Sequence, residues 1–266
     1  MKAIWVTDPH FDHIKDTTLL FKFFQDVENE KADCLLLGGD FAQADCLIEK
    51  LDLLNNNVDI PIYFSLGNHE YYYGAISTVR KMVDEYCAKN PKFTYLTNSD
   101  PIKLTDTVTL IGHDCWGDAY FGNPRSRVKL TDFKLIKDLK HLWPLPVLID
   151  RLRELGQEAA VELDKKLQKA FENPDLKKII VLTHVPPFKE ISTYRGKVSD
   201  EDFLPFFSCG TVGRMLTEEM KTRPNHEMLV LSGHTHDKVE ADILPNLKAK
   251  SGRAEYTQIY YEVINI

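Results

Sequence analysis

Short apolar runs of β type, scattered along 266 residues, each stop at a carboxylate, amide or imidazole, and this recurrence constrains the fold more than any other feature. Lys2 to Thr7 (KAIWVT) leads into Asp8-Pro9-His10, Cys34 to Leu37 (CLLL) into Gly38-Gly39-Asp40, and Ile60 to Leu66 into Gly67-Asn68-His69-Glu70. Further on, Ile179 to Thr183 (IIVLT) leads into His184, and Met228 to Ser232 (MLVLS) into Gly233-His234-Thr235-His236. A brief, continuous apolar run bounded by turn residues predicts a strand covered on both faces. Polar groups that follow such runs sit on strand-end loops, and α/β folds bind ligands in the crevice beyond the carboxyl ends of their strands. These loops are expected to converge on one edge.

Between the strand candidates lie stretches of helical period. Asp16 to Glu30 carries Leu19, Leu20, Phe23, Phe24 and Val27 at helical spacing, and Ala44 to Leu54 and Ala75 to Lys89 follow the same rule. Strand and helix in alternation predict parallel sheet with crossover helices. Lys103-Leu104 and Val108 to Ile111 read as a hairpin. From Trp116 the character changes: Gly117, Gly122, Asn123 and Pro124 break structure, and charged helices are predicted over Thr131 to Leu142 and Leu148 to Phe171. The reading is one domain over 1–266 with a helical insertion at about 116–172. A further helix is expected near Arg214 to Lys221, and late strands over Lys238 to Ile243 and Tyr256 to Ile266.

Composition narrows the function classes. With 40 acidic against 33 basic residues the formal charge is −7, whereas affinity for nucleic-acid backbones rests on clustered Lys and Arg. Bulk nucleic-acid binding is not expected. Cys34, Cys46, Cys87, Cys115 and Cys209 are scattered without Cys-x-x-Cys spacing, which fits a reducing compartment. No run approaches the ~18 apolar residues of a membrane span, and Met1 enters the first strand without a signal-like segment. The expectation is a cytoplasmic protein with no membrane partner.

The donor set carries the chemistry. Asp8 and His10 share one tight loop and can reach a single ion. Asp40 can bridge, because an ionised carboxylate offers two oxygens and about four lone-pair sites. Asn68 adds a neutral amide oxygen, and His184, His234 and His236 add imidazoles. Oxygen and nitrogen donors without thiolate suit Mn, Fe, Zn, Co or Ni. Two divalent ions against two carboxylates leave a positive surplus, which attracts phosphate.

In their order these blocks resemble the calcineurin-like metallophosphoesterase superfamily, whose signature runs Asp-x-His, Gly-Asp, Gly-Asn-His-Asp/Glu, a lone His, then Gly-His-x-His. The resemblance extends from Asp8 to His236. It implies a four-layer α/β/β/α sandwich, two mixed sheets flanked by helices. It also implies one ion held by Asp8, His10, Asp40 and His236, and a second held by Asp40, Asn68, His184 and His234. The implied activity is hydrolysis of phosphate monoesters or diesters at two divalent cations, a hydroxide bridging the ions attacking phosphorus in line. His69 is implied as the catalytic residue, donating a hydrogen bond or proton and touching no metal. The partner is a small phosphorylated substrate, with nucleotides among the candidates.

Asp40 is followed by Phe41-Ala42-Gln43-Ala44, so the Asp and Arg of the Gly-Asp-x-x-Asp-Arg-Gly block of Ser/Thr protein phosphatases are missing. A protein phosphatase is disfavoured. The alternative from another class is a catalytically silent interaction module on the same fold, whose mark would be loss of His69 or of ligands. Neither loss occurs. Among other residues, His13, His226 and His141 have no motif support, His113 follows a strand near the expected cleft, and Trp116 reads as packing. Tyr71-Tyr72-Tyr73 reads as packing on the next helix, with stacking against substrate as the sharper alternative. The basic run Arg125, Arg127, Lys129, Lys134, Lys137 and Lys140 reads as a solvated helix face, with a substrate-gathering lid as the alternative.

Overall fold

The computed structural model describes residues 1–266. The first half alternates β1 (Lys2–Val6), α1 (Thr17–Asn29), β2 (Cys34–Gly38), α2 (Leu47–Asn57), β3 (Ile62–Ser65), α3 (Ile76–Lys89) and β4 (Phe93–Tyr95). A hairpin of β5 (Ile102–Lys103) and β6 (Val108–His113) precedes α4 (Asp132–Leu135), α5 (Leu145–Phe171) and β7 (Lys178–Thr183). There follow β8 (Thr193–Tyr194), β9 (Lys197–Val198), α6 (Leu204–Phe207) and α7 (Gly210–Lys221). The chain closes with β10 (Glu227–Ser232), β11 (Val239–Leu244), β12 (Leu247–Ser251) and β13 (Glu262–Asn265).

Two mixed sheets result. One has the order β13-β1-β2-β3-β4, with β1 to β4 parallel and β13 antiparallel at the edge. The other has the order β11-β12-β10-β7-β6-β5, parallel in the middle and antiparallel at both ends.

Alternation along single strands shows how the layers stack. In β2, Leu35 and Leu37 pack in one cluster with Phe23, Leu51 and Val83 of α1, α2 and α3. Cys34 and Leu36 point the other way, into a cluster shared with Ile180, Leu182, Leu229 and Leu231 of the second sheet. In that sheet Ile179, Val181, Met228 and Val230 face Leu163 of α5 and Leu216 of α7. The order is therefore helix, sheet, sheet, helix, as the family resemblance implies. Strands buried on both faces explain why CLLL and MLVLS read as continuous apolar runs. Truncating a fully buried leucine such as Leu36 to alanine costs about 2–5 kcal/mol at such a site.

The helices follow their apolar stripes. Asp16 caps α1 by accepting the Thr18 N–H at 2.9 Å, and Leu20, Phe23, Phe24 and Val27 form its buried face. At 27 residues α5 is about 40 Å long. Its first half, from Leu148 to Leu155, packs with the first sheet's helices, and Ala159 to Ala170 packs on the second sheet. It serves as the crossover between parallel β6 and β7.

Two expectations change. The helix predicted over Thr131 to Leu142 shrinks to one turn, because the backbone there bonds elsewhere: Tyr73 N–H donates to the Leu135 carbonyl, and Lys137 N–H to that of Gly74. Asp138 in turn accepts the Ile76 N–H at 2.7 Å, tying this segment to the start of α3. In the tail, only Glu262–Asn265 of the strand expected from Tyr256 is formed, and β12 was not anticipated. Leu247, Ala249 and Ser251 are buried while Lys248 and Lys250 point outward, a half-buried alternation masked by charge. No helix is long and apolar enough to cross a membrane.

Candidate metal centre

All the donor residues named from sequence meet at the carboxyl ends of β1, β2, β3, β7 and β10. Three sets of donor atoms lie within 4.8 Å of one another: Asp8, His10 and His236; Asp40, His184 and His234; and His10, Asp40 and His69. Asp8, His10 and His184 are fully buried, with Asp40 and Asn68 nearly so, while His69, His234 and His236 are partly open.

The loops reach this convergence through strained backbone. Asp8 (φ 50°), His10 (φ 42°), Asp40 (φ 52°), His234 (φ 69°) and His236 (φ 62°) all adopt left-handed conformations. For residues with a Cβ this costs roughly 1–2 kcal/mol each, and such outliers gather at functional sites. The glycines leave room for the donors. A Cβ on Gly67 would collide with the Asp40 carboxylate and the His184 ring, and one on Gly233 with Thr7 and Asp8.

A set of neighbouring groups orients each donor. Both Asp8 oxygens face the His234 N–H, at 3.0 and 3.1 Å, and the Thr7 hydroxyl donates to Oδ2. Asp40 Oδ1 accepts the His69 N–H at 2.9 Å, leaving Oδ2 3.4 Å from His184 Nε2. Asn68 donates its amide hydrogens to Asp132 (3.0 Å) and Tyr72 (3.2 Å), which turns Oδ1 towards His184 Nε2 (3.1 Å) and His234 Nδ1 (3.0 Å). His184 Nδ1 lies 2.9 Å from the Gly38 carbonyl, an acceptor, so Nδ1 carries hydrogen and Nε2 is the atom turned to the centre.

Glu70, quoted in its motif but given no role from sequence, ties the loops together. Its carboxylate accepts N–H groups from Asp40, Phe41, Ala42 and Gly67 at 2.6 to 3.0 Å. Asp114 does the same across strands. Its side chain accepts from the Leu66 N–H and the hydroxyls of Tyr71, Tyr95 and Thr97, and its carbonyl accepts the His184 N–H. Burial works against ionisation of Asp114, but Arg80, 3.4 Å away, holds it below the usual carboxylate range.

The electrostatics suit cations. Burial pushes His234 down to about 3 and His10 down to about 4, leaving neutral imidazoles, the form that ligates metal. At His184 burial is outweighed by the carboxylates of Asp40 and Asp8, which lift it to about 10; the field that retains this proton would retain a divalent ion in its place. His10 Nε2 and His236 Nε2 converge to 3.3 Å, and His10 Nδ1 and His234 Nε2 are buried without a hydrogen-bond partner. Oxygen and imidazole donors grouped in this way, around a carboxylate common to two of the sets, fit a pair of divalent cations.

A cavity of about 560 Å³ opens above the donors. His69 faces it, its ring 4.4 Å from that of Tyr72. Asp132 of α4 and Tyr256 of the tail also line it, and sequence reasoning missed both. Asp132 was hidden in a charged run, while Tyr256, whose ring lies 4.5 Å from that of His10, sits in an irregular loop with no motif to mark it. Tyr72 serves the cavity while Tyr71 packs on Trp116, so the tyrosine run divides its tasks. His113 is buried away from the cavity, its Nδ1 accepting the Cys115 N–H. None of the basic residues from Arg125 to Lys140 lines the cavity, although Leu130, Thr131 and Asp132 of the same segment do.

Comparison with known proteins adds the family context. A family model described as calcineurin-like phosphoesterase matches residues 1–238. Phosphopantetheinyl hydrolase from Mycobacterium tuberculosis is 15% identical and superposes with a TM-score of 0.67, covering 98% of this chain and 95% of that one. A dimetal phosphatase from Danio rerio is 10% identical, with a TM-score of 0.57 over 99% of this chain and 91% of its own. GAP50, described as the anchor in the inner membrane complex of Plasmodium, is 13% identical, with a TM-score of 0.50 over 95% and 71%. At such identities these likenesses bear on the fold. No curated protein matches the sequence.

Proposed function

The chain belongs to the calcineurin-like phosphoesterase family, and from that premise we propose that it hydrolyses small phosphate esters at two divalent cations. As a metallophosphoesterase it is a hydrolase of phosphoric ester bonds. In this reading Asp8, His10, Asp40 and His236 hold one ion, and Asp40, Asn68, His184 and His234 the other. The observation that carries it is the grouping of these donors around Asp40, on loops whose backbone is strained into place.

The ions, when bound, supply positive charge for the phosphoryl oxygens and acidify water. The protein's own groups do the rest. Asp40, its Oδ1 fixed by the His69 N–H, would be the carboxylate common to both ions. Asn68 presents its oxygen because Asp132 and Tyr72 take its hydrogens. His69, with Nε2 3.9 Å from Asp40 Oδ2 and its ring against Tyr72, is placed to donate to the leaving oxygen.

A cavity of about 560 Å³ favours a small ester over a folded protein, and Gln43 and Ala44 stand at the positions a protein phosphatase would use for its Asp and Arg. A binding module that has abandoned catalysis fits less well, since His69 and every candidate ligand are retained. Phosphopantetheine-like esters and nucleotides are both candidate substrates, as are monoesters and diesters. The test is turnover of p-nitrophenyl phosphate beside bis-p-nitrophenyl phosphate with Mn, Fe, Zn, Co or Ni. Metal-dependent release of nitrophenol from either is expected; none with any metal would refute the reading.

A further inference from the structure

The wall of the cavity has a chemistry of its own. Apart from the residues of the metal centre, its charged members are two carboxylates, Asp132 and Asp200, and no Lys or Arg lines it. Arg195, beside Tyr194 on the β8–β9 turn, lies 5.1 Å from that ring and outside the lining. Each carboxylate commits one oxygen to the fold and leaves the other without a protein partner. Asp132 Oδ1 accepts from Asn68 and Tyr72, and Asp200 Oδ1 accepts the N–H groups of Asp202 and Phe203. The free oxygens can only accept hydrogen bonds while ionised. A third polar group is independent of them: Thr193 lines the cavity, is 95% buried, and its hydroxyl has no hydrogen-bond partner. Phe203, Phe207 and Leu130 supply apolar surface between these points, with Phe207 4.7 Å from the His234 ring.

Resting on the phosphoesterase reading above, we propose that this wall selects esters whose alcohol portion is uncharged or cationic, carries hydroxyl, amide or ammonium donors, and has no second anionic group. Acceptor oxygens match donors on the alcohol, and the apolar surface matches its carbon chain. A second phosphate would meet two carboxylates with no guanidinium or ammonium to receive it. Bisphosphates and nucleoside di- and triphosphates are thereby disfavoured relative to esters of neutral, hydroxyl- or amide-bearing alcohols.

The experiment uses three esters of one length, butane-1,4-diol monophosphate, 4-aminobutyl phosphate and butane-1,4-diol bisphosphate, with the metal-loaded protein and p-nitrophenyl phosphate as reference. Phosphate release per scissile group should give kcat/KM for the hydroxyl and ammonium esters roughly tenfold or more above the bisphosphate, the scale of one close charge repulsion at an intermediate dielectric. Asp200→Asn should narrow that gap severalfold, and raising the salt should narrow it in the unaltered protein. Turnover of p-nitrophenyl phosphate with the bisphosphate cleaved as fast as the hydroxyl ester would overturn the selection and leave the phosphoesterase reading standing. A gap that neither Asp200→Asn nor salt narrows would also overturn it. No turnover of any ester would fell both.

Discussion

The floor and the wall of the cleft are built in opposite ways. Asp8, Asp40, Asn68, His184, His234 and His236 sit one to four residues beyond strands buried on both faces, and a second set of carboxylates, Glu70 and Asp114, binds those loops to one another. The wall comes from a single turn of helix, a two-residue hairpin and an irregular tail, with Tyr194, Phe203 and Tyr256 half exposed. The difference teaches a division of labour. A sheet edge can hold several donors in strained conformations because the surrounding core fixes them, whereas loops over that edge can vary without disturbing the chemistry.

If the floor is the chemical centre, its substitutions should be the most damaging. Asp40→Asn removes the carboxylate proposed to bridge both ions; turnover of p-nitrophenyl phosphate should fall by more than about 10³-fold, with less than the full metal complement retained by elemental analysis. His69→Ala should lower kcat by about 10²–10³-fold while metal content stays at the unaltered level. Loss of metal would instead make His69 a ligand, a role its closeness to Asp40 and His10 permits geometrically.

Asp132 sharpens the contrast, since it belongs to the wall by sequence and supports the floor by hydrogen bonding. Asp132→Ala frees the Asn68 amide to rotate, and metal affinity or activity should drop about 10–100-fold, the range for residues that orient ligands. Asp132→Asn, which keeps an acceptor oxygen, should recover part of it. A change smaller than twofold in both would return Asp132 to the wall alone. The smallest effect is expected from Arg125→Glu with Arg127→Glu: neither residue lines the cavity, so KM at physiological salt should not move.

The floor was legible in the sequence because two signals coincide there, apolar runs that mark buried strands and donor residues that follow them at fixed offsets. Even so, the left-handed backbone at Asp8 or His236 has no mark in residue type, and only the fold shows that Asp114 reaches both Leu66 and His184. The wall was illegible for a physical reason. Asp132 lies among charges that resemble a solvated helix, and its helix stops after one turn because the backbone pairs with the loop before α3. Tyr256 owes its position over His10 to the chain's path after β12, a strand concealed by outward lysines.

Anomalous diffraction from crystals grown with manganese tests the central claim most directly. Two peaks are predicted, one among Asp8, His10 and His236 and one among Asn68, His184 and His234, with Asp40 between them. A single peak, or manganese bound only outside this set of residues, would contradict the account.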